Sequence, residues 1–139
     1  MEKNKHTLSK KERISNKKDI EKLFAEGNAF LAFPLRVVYV VTDCDPEKTG
    51  VSILISVPKR HFKKAVDRNR IKRLIRESYR LNKSTLAASA ELSGYSLQIA
   101  FLYIHKEQST YQEVEKGVKK ALNSIHREKF SEKFSEKFS

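Results

Sequence analysis

Residues 96–104, SLQIAFLYI, are the stretch that most constrains the fold of this chain. Apolar side chains occupy both alternating sets of positions, which is typical of a strand buried on both faces in the middle of a sheet. Two other segments rich in β-branched and aromatic residues, LRVVYVV at 35–41 and VSILISV at 51–57, predict further strands. Pro58 ends the second because proline cannot donate a ladder hydrogen bond. A short edge strand is expected around 29–33.

Three helices are expected around this sheet. The first covers about residues 16–26 and stops at Gly27, a typical residue after a helix end. A long basic helix covers about 62–82. The last begins after Thr110, whose spacing from Glu113 is that of a capping box, and its apolar residues recur every three or four positions.

The resulting order is α-β-β-β-α-β-α, an α+β fold in which helices pack on a sheet as a two-layer α-β sandwich. The pattern at 84–95 is ambiguous and is compatible with either a loop or a short helix. We expect one domain over 14–127, preceded by a basic flexible arm at 1–13. At 128–139 the motif EKFS repeats three times, and this low-complexity tail is expected to be disordered or a frayed extension of the last helix.

Positive charge is concentrated in two segments. The chain has 29 Lys and Arg against 17 Asp and Glu, a formal net charge of +12. Residues 59–83 carry 11 basic and two acidic side chains, and residues 1–18 carry seven and two, so the remainder is slightly acidic. Charge confined in this way indicates a polyanionic partner, usually a nucleic acid. Charge alone leaves DNA and RNA equally open.

The basic helix divides into two faces at 3.6 residues per turn. Its inward positions are Ile71, Leu74, Ile75, Ser78 and Leu81. On the other side, four cations recur at four-residue spacing: Arg68, Lys72, Arg76 and Arg80. Like charges at this spacing repel one another and cost stability, so the stripe predicts an external anion that offsets the repulsion. The preference for arginine favours phosphate, which its guanidinium fork binds through two hydrogen bonds.

Several other classes of site and protein are disfavoured. The four histidines lack metal-ligand spacing, and no serine or cysteine nucleophile has a visible partner, so no catalytic residue and no metal site is expected in the protein. No run of about 18 apolar residues exists, so no transmembrane helix is expected. The single cysteine, Cys44, cannot form an internal disulfide, which fits a reducing cytoplasm.

The run SVPKRHFKKAVDRNRIKRLIRESYRL, at 56–81, resembles the signature of the bacterial ribonuclease P protein subunit. The matching elements are Lys59-Arg60, Ala65, Arg68-Asn69-Arg70, Lys72-Arg73 and Arg76-Glu77. The resemblance implies a protein cofactor of an endoribonuclease whose partner RNA performs the cleavage with bound Mg²⁺ and removes the 5′ leader of precursor tRNA. It also implies a left-handed β-α-β crossover through the basic helix. The expected partners are the catalytic RNA and precursor tRNA, in the cytoplasm and without a membrane.

The resemblance assigns two groups of site residues. The RNA-binding group is Lys59, Arg60, Lys63, Lys64, Arg68, Asn69, Arg70, Lys72, Arg73, Arg76 and Arg80. The group lining a cleft for the single-stranded leader is Ile20, Phe24, Arg36, Val38 and Ser56. Ile20 stands at a position that is often aromatic in the family, and Val38 at one where some members have an aromatic residue.

Three other functions compete with this interpretation. A structural protein of the ribosomal type would share the fold and the charge without any processing role. A leucine-zipper transcription factor would share the basic helix, but the sequence after Leu81 lacks sustained heptads. A membrane-surface helix would need large aromatic anchors, which the apolar face of the basic helix lacks.

Overall fold

The computed structural model of the chain describes residues 13–14, 17–43 and 50–128. The predicted basic arm lies almost entirely outside these residues, and so does the EKFS tail beyond Glu128. None of the helices in the described ranges is long and apolar enough to cross a bilayer.

Four helices and four strands make up the fold. They are α1 (Lys17–Glu26), β1 (Asn28–Ala32), β2 (Leu35–Asp43), β3 (Gly50–Ser56), α2 (Ala65–Asn82), α3 (Ser84–Ser93), β4 (Tyr95–Tyr103) and α4 (Tyr111–His126). The predicted α+β class and order of elements are confirmed. The stretch that the sequence left open forms α3, a short helix between the basic helix and the last strand.

The sheet is built around β4. Its strand order is β1-β2-β4-β3. β4 runs antiparallel to β2, with Leu35 opposite Tyr103, and parallel to β3, with Ser56 opposite Leu102. The central position predicted for the doubly apolar segment is therefore confirmed. Because β3 and β4 are parallel neighbours, α2 and α3 form the crossover that connects them. The left-handed sense of this crossover stays a prediction of the family resemblance.

One face of the sheet carries the main core, beneath α2, α3 and α4. Its buried strand residues are Leu35, Val37, Tyr39, Val51, Ile53, Leu97, Ile99, Phe101 and Tyr103. α4 covers them with Val114, Val118, Leu122 and Ile125, the apolar repeat seen in the sequence. Each large apolar side chain buried in this way contributes about 1.5–3 kcal/mol relative to exposure.

α1 lies on the opposite face of the sheet. Leu23 is fully buried there, in one cluster with Ile14, Val38 and Ala100. Partly buried neighbours complete this cluster: Ile20, Val40, Leu54 and Leu102. Three helices thus cover one face and α1 covers part of the other, which explains why β4 is apolar on both sides.

The buried arc of α2 differs from the predicted one at its C-terminal end. Ile71, Ile75 and Ser78 are buried as expected, but the inward placement of Leu81 is wrong, since 46% of this residue is exposed. Tyr79 is fully buried instead, and its ring lies 6.0 Å from that of Phe101 in β4. Because the ring of Tyr79 packs against β4, the buried side of α2 at this end contains Tyr79 and excludes Leu81.

Two glycines permit close approach between layers. A Cβ on Gly27 would lie 2.3 Å from the carbonyl oxygen of Leu23 and 2.7 Å from Cγ1 of Val38. A Cβ on Gly117, in α4, would lie 2.9 Å from the carbonyl oxygen of Ala32 and 3.0 Å from that of Phe33. These distances are shorter than ordinary van der Waals contact, so a side chain at either position would push α1 or α4 away from the sheet.

The adjacent residues Leu23 and Phe24 provide a test of how α1 packs. Leu23→Ala removes a fully buried side chain and is expected to cost about 2–5 kcal/mol of unfolding free energy. Phe24 is 47% exposed, so Phe24→Ala is expected to cost less than about 1 kcal/mol. Urea unfolding of both variants measures the difference. Equal losses would place Phe24 in the core and contradict the described packing.

Candidate nucleic-acid interface

The loop that joins β3 to α2 displays four cations. This segment, residues 57–64, is called the basic loop below, and its cations are all exposed: Lys59, Arg60, Lys63 and Lys64. Phe62 lies between the two cation pairs and points inward, since it is buried and its ring lies 5.7 Å from that of Tyr103. The buried ring anchors the loop to the core and leaves the charged side chains in solvent.

Arg68, in the first turn of α2, forms hydrogen bonds to the same loop. Its Nη1 donates to the carbonyl oxygens of Phe62, at 2.8 Å, and Lys63, at 2.9 Å. A guanidinium has five N–H donors, so three remain for another acceptor. Arg68 is half-buried, whereas the helical stripe of the sequence placed it with the outward cations. The arginine therefore organises the basic loop in addition to adding charge to it.

A second set of side-chain hydrogen bonds joins α2 to the loop after β4. Nη1 of Arg70 donates to Oε1 of Gln108, and Nε2 of Gln108 donates to Oδ1 of Asp67 at 3.1 Å. In the same loop, the hydroxyl of Tyr103 bonds to the carbonyl oxygen of Glu107 and to Oγ of Ser109. Burial raises the pKa of Tyr103, so this hydroxyl keeps its proton at neutral pH. The first turns of α2 and the loop at 104–109 form one connected surface.

The outward face of α2 carries the free charge of the helix. Asn69, Arg73 and Arg76 are exposed on one side of α2 and form what is called the outer stripe below. Neither arginine has an ion-pair partner among the residues that the structure describes. Arg80, one turn beyond Arg76, is half-buried and paired with Glu77, and Lys72 is also half-buried. In the described chain, the cations of α2 without an ion pair therefore precede Arg80, from Arg68 to Arg76.

The residues assigned to a leader cleft lie on the sheet face that α1 covers in part. A row across all four strands on this side is called the open sheet face, in which Leu102 is partly buried and the other three residues are exposed: Leu31, Arg36, Leu102 and Ser56. Arg36 and Ser56 flank Leu102, and both are exposed. Neighbouring strands lie about 4.8 Å apart, so the two side chains stand roughly 10 Å from each other. Such a floor is wide enough for a single polynucleotide strand.

The other three cleft residues belong to or underlie α1. Phe24 is half-exposed on α1, and Ile20 is half-buried in the cluster beneath the helix. Val38 is only 5% exposed and packs in that cluster, so it supports α1 from below. Sequence reasoning missed Leu31 and Leu102, although the alternation of β1 and β4 puts them on the same face as Arg36.

The two groups of residues meet at one end of β3. Ser56 is the last residue of the strand and belongs to the open sheet face, while Lys59 and Arg60 follow it in the basic loop. A polynucleotide lying across the sheet can therefore reach the basic loop without leaving the surface of the protein. The geometry provides a connected surface that carries Arg36 on the sheet and four cations in the basic loop, which suits single-stranded nucleic acid.

Known proteins of similar sequence belong to one family. Residues 8–126 match the family model described as Ribonuclease P. The chain is 41% identical over 118 residues to the ribonuclease P protein component of Porphyromonas gingivalis, covering 85% of each chain. It is 32% identical over 130 residues to that of Chlorobium phaeobacteroides, covering 87% of this chain and 86% of the relative.

Solved structures show the same fold. The RNase P protein of Staphylococcus aureus superposes with a TM-score of 0.64 at 22% identity, over 82% of this chain and 94% of that one. The RNase P protein of Thermotoga maritima gives a TM-score of 0.62 at 22% identity, over 82% of this chain and 97% of that one. With the family model spanning the whole described fold and the curated relatives matching at similar length, this chain belongs to the ribonuclease P protein family.

Proposed function

We propose that the chain is the protein subunit of a bacterial ribonuclease P, which removes the 5′ leader of precursor tRNA. In this proposal a partner RNA carries the catalytic centre, and the protein binds that RNA and the leader in the cytoplasm. The observation that carries the proposal is the outer stripe, whose arginines have no acidic partner in the described part of the chain, on a member of this family.

The two surfaces would bind two different RNA segments. The outer stripe and the basic loop present guanidinium and ammonium groups, which recognise phosphates of a folded RNA through charge and bidentate hydrogen bonds. The open sheet face offers an arginine, a hydroxyl and apolar floor residues, and α1 on the same side of the sheet carries the half-exposed ring of Phe24, which suits unpaired nucleotides. We assign the catalytic RNA to the first surface and the leader to the second.

The contribution to catalysis would be electrostatic. Catalytic RNA and precursor tRNA are both polyanions, and cations bound between them reduce their repulsion. The described residues bring no three His, Cys, Asp or Glu side chains together as a metal site, and the proposal assigns the Mg²⁺ of the cleavage step to the RNA. The protein and Mg²⁺ would then partly substitute for each other in neutralising charge.

Cleavage of a precursor tRNA by the cognate catalytic RNA, with and without the protein, tests this function. We expect no cleavage by the protein alone, and a stimulation of the RNA that is large at low Mg²⁺ and shrinks as Mg²⁺ rises. Equal stimulation at every Mg²⁺ concentration would contradict the electrostatic mechanism. Sequencing of RNA recovered with the protein from cells checks the partner, and recovery of ribosomal RNA alone would favour the structural alternative.

The structure also predicts different roles for two arginines of α2. Arg73→Ala is expected to leave the melting temperature unchanged and to lower the slope of log affinity against log salt by about 0.7–0.9, the value for one phosphate contact. Arg68→Ala removes two hydrogen bonds to the basic loop, so it should cost about 1–2 kcal/mol of stability. It should also lower the slope of log affinity against log salt by more than the value for one phosphate contact, because the loop cations lose their fixed positions.

Arg68→Lys is the matched control, since it keeps the charge and loses the planar fork. Salt titrations of catalytic-RNA affinity and thermal unfolding measure both effects. If Arg68→Ala and Arg73→Ala gave the same slope change and the same melting temperature, Arg68 would be an ordinary phosphate contact and its role in the loop would be refuted.

A further inference from the structure

The turn between β1 and β2 displays an aromatic ring that the proposed surfaces do not use. Phe33 is 60% exposed, among the most exposed large apolar residues of the described chain. Its ring packs against the imidazole of His105, with ring centres 5.1 Å apart and planes inclined at 55°. The imidazole restrains the Phe33 ring without covering it, so the exposed face of Phe33 is available for stacking.

The ring stands on a well-fixed part of the fold. Gly117 lets α4 approach the carbonyl oxygens of Ala32 and Phe33 to within close contact. On the other side, the backbone N–H of Ile104 donates to the carbonyl oxygen of Pro34 at 3.0 Å. The turn is therefore held between α4 and the end of β4, so little conformational entropy would be lost when a ligand stacks on Phe33.

Two lysines line a cavity together with the same ring. Lys116 and Lys120, on successive turns of α4, line a surface cavity of about 370 Å³ together with Phe33, Pro34 and Glu113. The carboxylate of Glu113 accepts hydrogen bonds from the backbone N–H and the hydroxyl of Thr110, in the capping box of α4. It is thus engaged with the helix end, and the exposed Lys116 and Lys120 are the cations of the cavity lining. An aromatic face beside lysines suits a nucleotide, in which a base and a phosphate are joined.

A chain of rings connects this surface to the basic loop. The ring of Phe62 lies 5.7 Å from that of Tyr103, and the ring of Tyr103 lies 6.4 Å from that of His105, which contacts Phe33. The loop cations and the exposed ring are therefore at the same end of the sheet. The ring lies on the side of α4, whereas the open sheet face lies on the side of α1.

We propose that Phe33, supported by His105 and flanked by Lys116 and Lys120, stacks on an unpaired base of single-stranded RNA, at a site separate from the open sheet face. The inference rests on the proposed RNA-binding function and adds a second contact point for a strand that passes the basic loop. A protein partner would be served by an apolar surface alone, and the lysines beside the ring favour RNA.

The absence of tryptophan from the chain allows a local test. Phe33→Trp places a single indole at the proposed site of the full-length protein, and a stacked base quenches indole fluorescence. We expect a short oligoadenylate to quench it and an abasic oligonucleotide of the same length, with the same charge but no bases, to leave it unchanged. Equal responses to the two oligonucleotides would refute stacking.

Binding of the same oligoadenylate to other variants completes the test. Phe33→Ala and Phe33→Leu should bind at least about five-fold more weakly, the lower end of the usual loss when a stacking ring is removed, and Phe33→Tyr should bind like the parent protein. All three should keep the melting temperature, because Phe33 is mostly exposed. Normal binding by Phe33→Leu with weak binding by Phe33→Ala would indicate an apolar docking surface and overturn the proposal.

Arg73→Ala separates this inference from the function on which it rests. If the Phe33 variants bind the oligoadenylate normally while Arg73→Ala binds the catalytic RNA weakly, the stacking site is refuted and RNA binding by the outer stripe stands. If the parent protein binds neither the oligoadenylate nor the catalytic RNA, the proposed function fails and the stacking site fails with it.

Discussion

The fold depends on the burial of β4 on both of its faces. The strand pairs with β2 on one side and with β3 on the other, and Leu97, Ile99 and Ala100 are all completely buried. A strand of this kind is stable only when both faces of the sheet are covered. α4 and the α2–α3 crossover cover one face, and α1 covers part of the other, so the position of every helix follows from this strand.

The same constraint separates the two candidate RNA surfaces. Because α2 crosses the fully covered face, its buried arc is fixed by contacts such as that of Tyr79 with Phe101, and Arg73 and Arg76 face solvent away from the sheet. Because α1 covers its face only in part, Arg36 and Ser56 remain accessible beside it. The basic loop joins the two surfaces, with Phe62 and Arg68 fixing its course.

Sequence reasoning predicted the features that local pattern determines. The apolar residues on both faces of β4 and the capping box of α4 each depend on a few neighbouring residues, and the structure has both. Of the stripe expected on α2, Arg76 is exposed, whereas Arg68, Lys72 and Arg80 are half-buried. Leu81 was assigned to the wrong side because helical periodicity alone does not define which arc of the helix contacts the sheet. The hydrogen bonds of Arg68 to the basic loop were missed for a similar reason, since they depend on how the chain enters the helix.

Arginine-selective modification with phenylglyoxal, read by mass spectrometry, tests most directly whether two surfaces bind two RNA segments. The account predicts that catalytic RNA protects Arg73 and Arg76 and leaves Arg36 reactive, and that Arg36 becomes protected only when a precursor with a 5′ leader is added. Protection of Arg36 by catalytic RNA alone, or unchanged reactivity of Arg73 and Arg76 in its presence, would contradict the account.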